Sequence, residues 1–142
     1  MMTQLLHQYD EQMCDIIYED EEIMLSKLNK YMYNDIHLNS LDEDNRRFVP
    51  DEVFETIDIA KDVVDSLIEA YEKEYGPFVY AIIRKNDLKN IGYVQLAYVD
   101  DFYEIGYHIA KPYTGNGYAT KALKLFLKRL KEKTRRSLFR RS

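Results

Sequence analysis

The sequence predicts a single α+β domain, in which helices flank a mixed but mostly antiparallel sheet. Apolar residues repeat every three or four positions over 53–75, which predicts a long amphipathic helix. Three runs rich in β-branched and aromatic residues follow, at 78–84, 91–99 and 102–110. The connections between these runs are short, so the strands must be antiparallel neighbours. A second amphipathic pattern, which predicts another helix, begins after Gly117.

The N-terminal elements are predicted from shorter patterns. Residues 1–20 carry apolar side chains at helical spacing with acidic residues between them, which favours a helical extension. The run at 22–28 alternates as a strand does, and the polar stretch after it is predicted to be helix and loop. Asp51 is placed to cap the long helix, and Gly76-Pro77 is placed to end it.

Length and composition restrict the possible functions. A chain of 142 residues is long enough for one domain with its own core. The single cysteine, Cys14, excludes an internal disulfide and a multi-cysteine metal site, and we expect no metal cofactor. No apolar run reaches the roughly 18 residues of a membrane span, and the acidic N-terminus does not resemble a signal peptide. These features predict a cytoplasmic protein that does not bind membranes.

The net charge of −5 is unevenly distributed along the chain. Residues 1–110 hold 24 of the 25 Asp and Glu residues but only 9 of the 20 Lys and Arg residues. Residues 111–142, which include a basic tail at 134–142, hold the remaining 11 cations and a single acid, Glu132. Such a split is typical of a nucleic-acid-binding arm, or of a domain with one end facing a polyanionic small molecule. The charge distribution alone does not distinguish between these two functions.

The segment KPYTGNG, at 111–117, is the most informative part of the sequence. Gly115 and Gly117 are two of only five glycines, so the turn has unusual backbone geometry or lets a ligand approach its backbone. The helix that follows offers unpaired N–H groups to an anion. The segment lacks the Gly-Lys-Ser/Thr of a Walker loop, and its strand closes an antiparallel meander rather than a βαβ unit. The reading that fits is a backbone site for the pyrophosphate of coenzyme A.

Residues 103–123 resemble the acetyl-CoA-binding signature of the GNAT acyltransferase superfamily. They read YEIGYHIA followed directly by KPYTGNGYATKAL. The resemblance is strongest to the branch that acetylates the N-termini of ribosomal proteins. The family loop is written Gln/Arg-x-x-Gly-x-Gly/Ala. This sequence matches it at Gly117 and Ala119 and has Thr114 in place of Gln/Arg. The order of predicted elements from residue 22 onward also agrees with the family.

The resemblance implies that acetyl-CoA is the co-substrate and that a primary amine, on a small molecule or a peptide, attacks its thioester directly. It implies Glu104 as the group that takes a proton from the amine. His108 alternates with Tyr107 along the strand and could face the acceptor, so it is a secondary catalytic candidate. The backbone N–H of Ile109 would polarise the thioester carbonyl. The acidic residues of 1–110 favour a cationic acceptor. The residues implied in cofactor binding are Ile109, Ala110, Lys111, Thr114, Gly115, Asn116, Gly117, Tyr118, Ala119 and Thr120.

The resemblance also implies elements that the sequence does not contain. Family members continue after this helix with a strand, another helix and usually a last strand. The chain is therefore interpreted as a member cut short after its cofactor loop. Strand 103–110 is expected either to self-associate through its open edge or to be covered in part by residues 134–142. The alternative function is a truncated, non-catalytic CoA-binding or interaction module with the same fold. A nucleic-acid-binding protein, acting through 134–142, is the least favoured reading.

Overall fold

A computed structural model describes residues 15–48 and 50–141. Its five strands form one antiparallel sheet, and their order in space follows their order in the sequence. The strands are β1 (Ile16–Glu19), β2 (Ile23–Lys27), β3 (Phe78–Arg84), β4 (Lys89–Val99) and β5 (Phe102–Ile109). Together with the helices, this sheet confirms the predicted α+β fold.

The described residues contain four α-helices and three short 3₁₀ turns. The helices are α1 (Tyr33–Ser40), α2 (Glu43–Phe48), α3 (Ile57–Ala70) and α4 (Tyr118–Arg141). The 3₁₀ turns are Lys30–Met32, Pro50–Glu52 and Lys111–Tyr113.

The predicted N-terminal helix is wrong where the structure tests it. Residues 1–14 lie outside the described part of the chain, but Ile16–Glu19 form β1, paired with β2. The apolar residues at helical spacing also fit a short strand, since Ile16 and Ile17 alternate between the two faces of the sheet and pack on different cores. Tertiary pairing with β2 decides between the two structures.

Both faces of the sheet are covered, so the central strands are apolar on both sides. On one face Ile23, Leu25 and Ile82 pack against Phe126 of α4. On the other face Met24, Val79 and Ala81 pack against Val64 of α3. Neighbouring residues of a strand point to opposite faces, and β2 therefore contributes to both cores. The sheet separates the molecule into an α4 face and an α1/α3 face.

The long helix begins later than the sequence pattern predicts. Thr56, in extended conformation, is the N-cap residue of α3, and its side chain accepts a hydrogen bond of 3.2 Å from the N–H of Ile59. Asp51, predicted to be the cap, lies in the 3₁₀ turn before it, and Phe54 precedes the helix. The apolar period continues into the residues before the helix, where Phe54 lines the same cavity as Val64 and Leu67 of the helix. The apolar periodicity therefore indicates which residues are buried, and the N-cap residue indicates where the helix begins.

We expect Thr56→Ala to lower the free energy of unfolding by about 1 kcal/mol, because the first turn of α3 loses its side-chain acceptor. Thr56→Ser retains the hydroxyl and should lose much less. Asp51→Ala is the matched comparison, since it removes the residue that the sequence alone suggests. Urea unfolding of the three variants measures the effect. A larger loss for Asp51→Ala than for Thr56→Ala would contradict this assignment of the cap.

The β4–β5 hairpin determines which side chains meet at the site. Asp100 and Asp101 form its turn with φ values of 50° and 69°, the left-handed conformation that tight hairpins use. Pairing then runs without a shift from Val99↔Phe102 to Gly92↔Ile109. This register places His108 opposite Tyr93.

Within the described residues no strand follows β5, in agreement with the expected absence of further strands up to residue 141. β5 is therefore an edge strand of the described sheet. Most of its side chains are exposed, with Phe102 74% and Tyr107 54% accessible, whereas Ile109 at its end is buried. Residues 134–141, predicted as a basic tail, continue α4. Self-association through 103–110 stays a prediction.

Candidate active site

The turn between β5 and α4 has a backbone that requires glycine. Gly115 and Gly117 have φ values of 80° and 78°, a conformation that residues with a side chain rarely adopt. A Cβ atom built on either glycine would meet no other atom within 4 Å. Both glycines therefore serve the backbone conformation, and the space in front of them is open.

The polar side chains of this turn bond back to its own carbonyl groups. The Thr114 hydroxyl donates to the carbonyl oxygen of Lys111 at 2.8 Å. The Asn116 amide donates to the carbonyl oxygens of Tyr113 and Thr114, each at 3.2 Å. These bonds hold the turn in place and engage its carbonyl groups rather than the N–H groups of Gly115, Asn116 and Gly117.

The first intrahelical bond of α4 runs from the N–H of Lys121 to the carbonyl oxygen of Gly117, at 3.2 Å. Within the described part of the chain, the N–H groups of residues 115–120 have no hydrogen-bond acceptor. We call these six groups the amide cradle. A helix N-terminus with free N–H groups binds anions through both hydrogen bonds and the helix dipole.

A cavity of about 680 Å³ opens in front of the amide cradle. Its walls come from the ends of β4 and β5, the 3₁₀ turn after β5, the start of α4 and the α2 region. Seven of the predicted cofactor-binding residues line it: Ile109, Lys111, Thr114, Gly115, Gly117, Tyr118 and Ala119. Ala110, Asn116 and Thr120 were predicted with them but lie outside this lining.

This cavity, the larger of two that share His108, is also lined by three acidic residues. They are Asp42, Asp44 and Glu52, which the sequence pattern did not single out. Asp42 is tied to the loop directly, because its carboxylate accepts a hydrogen bond of 3.0 Å from the N–H of Lys111. The three acidic residues lie more than 50 residues before the loop in the sequence, and no local pattern marks them. The cavity is thus lined both by the amide cradle, which suits an anion, and by acidic side chains.

His108 lines the same cavity, and its ring lies 5.8 Å from that of Tyr93. The Nε2 atom is buried and has no hydrogen-bond partner among the described residues. Burial lowers the pKa of His108, while Asp42, Glu52 and Asp44 oppose that shift. The imidazole is therefore neutral at neutral pH and can accept a proton.

Close contact between β4 and β5 holds His108 in position. A Cβ atom on residue 92 would lie 2.0 Å from the carbonyl oxygen of His108, so only glycine fits at position 92. Tyr93, the partner of His108 in the sheet, donates a hydrogen bond of 2.8 Å to a carboxylate oxygen of Glu52. Burial, and then Glu52, raise the pKa of Tyr93, which stays protonated.

Glu104, the other predicted catalytic residue, is exposed and pairs with Ala97 in the sheet. It shares a sheet face with His108 but lies four residues away, about 13 Å along an extended strand. It lies outside the lining of the larger cavity. The sheet therefore brings His108, but not Glu104, together with the amide cradle.

The described residues contain no group of three or more His, Cys, Asp or Glu residues arranged to hold a metal ion. None of their helices combines the length and the apolar character needed to cross a membrane.

Comparison with protein families gives a match over most of the chain. The acetyltransferase (GNAT) domain family matches residues 17–140. The comparison with curated proteins gives no match.

Solved structures with the same fold are acetyltransferases by their descriptions. An acetyltransferase of the GNAT family from Bacillus anthracis superposes with a TM-score of 0.69 at 21% identity, over 83% of this chain and 68% of that one. A GCN5-related N-acetyltransferase from Brucella melitensis gives 0.61 at 24% identity, over 78% and 52%. A proposed ribosomal-protein-serine acetyltransferase from Vibrio cholerae gives 0.64 at 16% identity, over 80% and 67%. The chain thus spans between about half and two thirds of the length of these proteins.

Proposed function

The chain belongs to the acetyltransferase (GNAT) domain family, and we propose that it transfers an acetyl group from acetyl-CoA to a primary amine. The observation that carries the proposal is one cavity lined both by residues of the amide cradle and by His108, whose buried Nε2 has no partner among the described residues. The cradle suits the pyrophosphate of a CoA thioester, and His108 suits a proton acceptor beside it. No observation on the described residues favours a non-catalytic module.

The amide cradle would hold the pyrophosphate of acetyl-CoA, with the ammonium group of Lys111 on the same cavity wall. Thr114 in place of Gln/Arg removes a side-chain donor, so the backbone carries this contact. Bound acetyl-CoA supplies the activated acetyl group as a thioester. No metal ion is needed for this transfer.

The ladder of β4 and β5 supports a role for the N–H of Ile109. The N–H of Ala110 donates to the carbonyl oxygen of Ile91 at 2.9 Å, towards β4. Successive N–H groups of a strand point in opposite directions, so the N–H of Ile109 points to the outer edge of β5. There it is available to a thioester carbonyl, where a fixed donor would stabilise the negative charge that develops during attack.

His108 would accept a proton from the ammonium form of the acceptor, and the neutral amine would then attack the thioester carbon. A C–N bond forms, the C–S bond breaks, and the CoA thiolate that leaves takes up the proton that the attacking nitrogen loses. Glu104 is the second candidate for the proton acceptor, acting from the exposed part of β5. Asp42, Asp44 and Glu52 favour a cationic acceptor, because carboxylates in a cavity attract positive charge.

We expect acetyl-CoA to bind this protein and NADH to bind much more weakly. The amide cradle suits either pyrophosphate, but the edge of β5 suits the extended pantetheine arm and thioester of acetyl-CoA. Calorimetric titration with both compounds measures the difference. Equal affinity, or a preference for NADH, would contradict the proposed co-substrate.

A further inference from the structure

A second cavity lies beside the first, between α1, α3 and the sheet, and has a volume of about 310 Å³. Its lining is mostly aliphatic and aromatic, with Leu28, Ile36, Phe54, Val64, Leu67 and Val79 as main contributors. We call it the apolar cavity. A cavity of about 150 Å³ with such walls already binds benzene, so this one is large enough for an aliphatic or aromatic group.

The two cavities meet at a set of polar side chains. Asn45, Glu52, Tyr93, Gln95 and His108 line both of them. His108 therefore lies where the apolar cavity joins the larger one, and its Nε2 atom is buried there without a hydrogen-bond partner among the described residues. A ligand in the apolar cavity would carry its polar end at this junction.

The charges of the apolar cavity are of one kind. Asp51 and Glu52 are the acidic residues that line it, beside His108 and the protonated Tyr93, and the described lining contains no Lys or Arg. A polar end with a positive charge is therefore complementary to this junction, whereas a phosphate is not. The apolar cavity lies on the α1/α3 face, and the amide cradle lies at the start of α4, on the opposite face.

From this geometry we propose that the apolar cavity binds an aliphatic or aromatic group of the acceptor, so that the preferred substrate is an amine with an apolar substituent. The inference rests on the proposed function, since it assigns the acceptor of that same site. The substituent fills the apolar cavity, and the amine lies at the junction beside His108 and Glu52. The donor approaches from the α4 face and the acceptor from the α1/α3 face. A hydrophilic polyamine would leave the apolar cavity unfilled.

Binding of two amines of equal charge and similar size tests the proposal directly. Heptylamine and aminohexanol are titrated calorimetrically into the full chain, with and without saturating CoA. Heptylamine should bind roughly tenfold more tightly or better, because a buried hydroxyl without a partner is costly. Equal affinity for the two amines would overturn the proposal. Titration of CoA alone tests the proposed function separately, since the preference among amines is measured with or without it.

Variants on α3 locate the binding site. Val63 lines the apolar cavity, and Val63→Phe should fill it and remove the preference for heptylamine. Ile59 lies one turn earlier on the same helix, is 44% exposed and lies outside both linings, so Ile59→Phe is the matched control. Leu67→Ala enlarges the cavity and should raise the affinity for naphthylethylamine relative to heptylamine. Circular dichroism checks that each variant is folded.

The competing occupant is a long acyl chain of the donor. Octanoyl-CoA and acetyl-CoA are therefore titrated into the parent, Val63→Phe and Leu67→Ala. If Val63→Phe weakens octanoyl-CoA but leaves the preference among amines unchanged, the apolar cavity belongs to the donor and the proposal is wrong. If Val63→Phe is unfolded, an unchanged amine preference in Leu67→Ala likewise overturns it.

Discussion

Gly117→Val should abolish measurable binding of CoA while the domain stays folded. Gly117 has a φ of 78°, and a β-branched residue in that conformation would force the turn to rearrange. The valine side chain would also project into the open space in front of the amide cradle. Loss of the cradle geometry removes several N–H contacts at once, so we expect a fall in affinity of about 100-fold or more. Calorimetric titration with CoA measures it.

Asp101→Val is the matched control for Gly117→Val. Asp101 has a φ of 69° in the β4–β5 turn, so the substitution introduces the same kind of backbone strain away from the cradle. It should lower the free energy of unfolding and leave the affinity for CoA unchanged. If Gly117→Val binds CoA as well as the parent does, the glycines serve only the turn, and the cradle is not the phosphate site.

His108→Gln should lower kcat/KM for acyl transfer by between about 10² and 10⁴, the range for the loss of a general base. The affinity for CoA should change little, since the cradle is untouched. Because burial lowers the pKa of His108, the base form persists as the pH falls to the ordinary histidine value of about 6.5. The parent should therefore lose activity only below that pH, and His108→Gln should lose this titration from its profile. Thiol release from acetyl-CoA at a series of pH values measures both effects.

Two comparisons make the result for His108 decisive. His37→Gln replaces a histidine outside both cavities and should behave as the parent does. Glu104→Gln tests the second candidate for the base. A large loss with Glu104→Gln and little change with His108→Gln would assign the base to Glu104 instead.

The strands of the meander were predictable because their burial is local in sequence. Phe78–Arg84 was predicted with the bounds that the structure has, and the other two strands agree within two residues. The start of α3 could not be predicted in the same way, because Val53 and Phe54 continue the apolar period outside the helix. An N-cap is a local hydrogen bond, and both Asp51 and Thr56 have side chains that could form it.

The sequence alone determined the fold class and the turn with two glycines, because these depend on residues that are neighbours in the chain. Only the tertiary structure decided which side chains share the cavity with that turn. Asp42 and Glu52 reach it through the packing of α2 and the following turn, while His108 reaches it through the register of β4 and β5. Glu104 shares a strand with His108 but not the cavity, since four extended residues separate them by about 13 Å. Distance through space, which only the folded chain defines, determines which groups can act together.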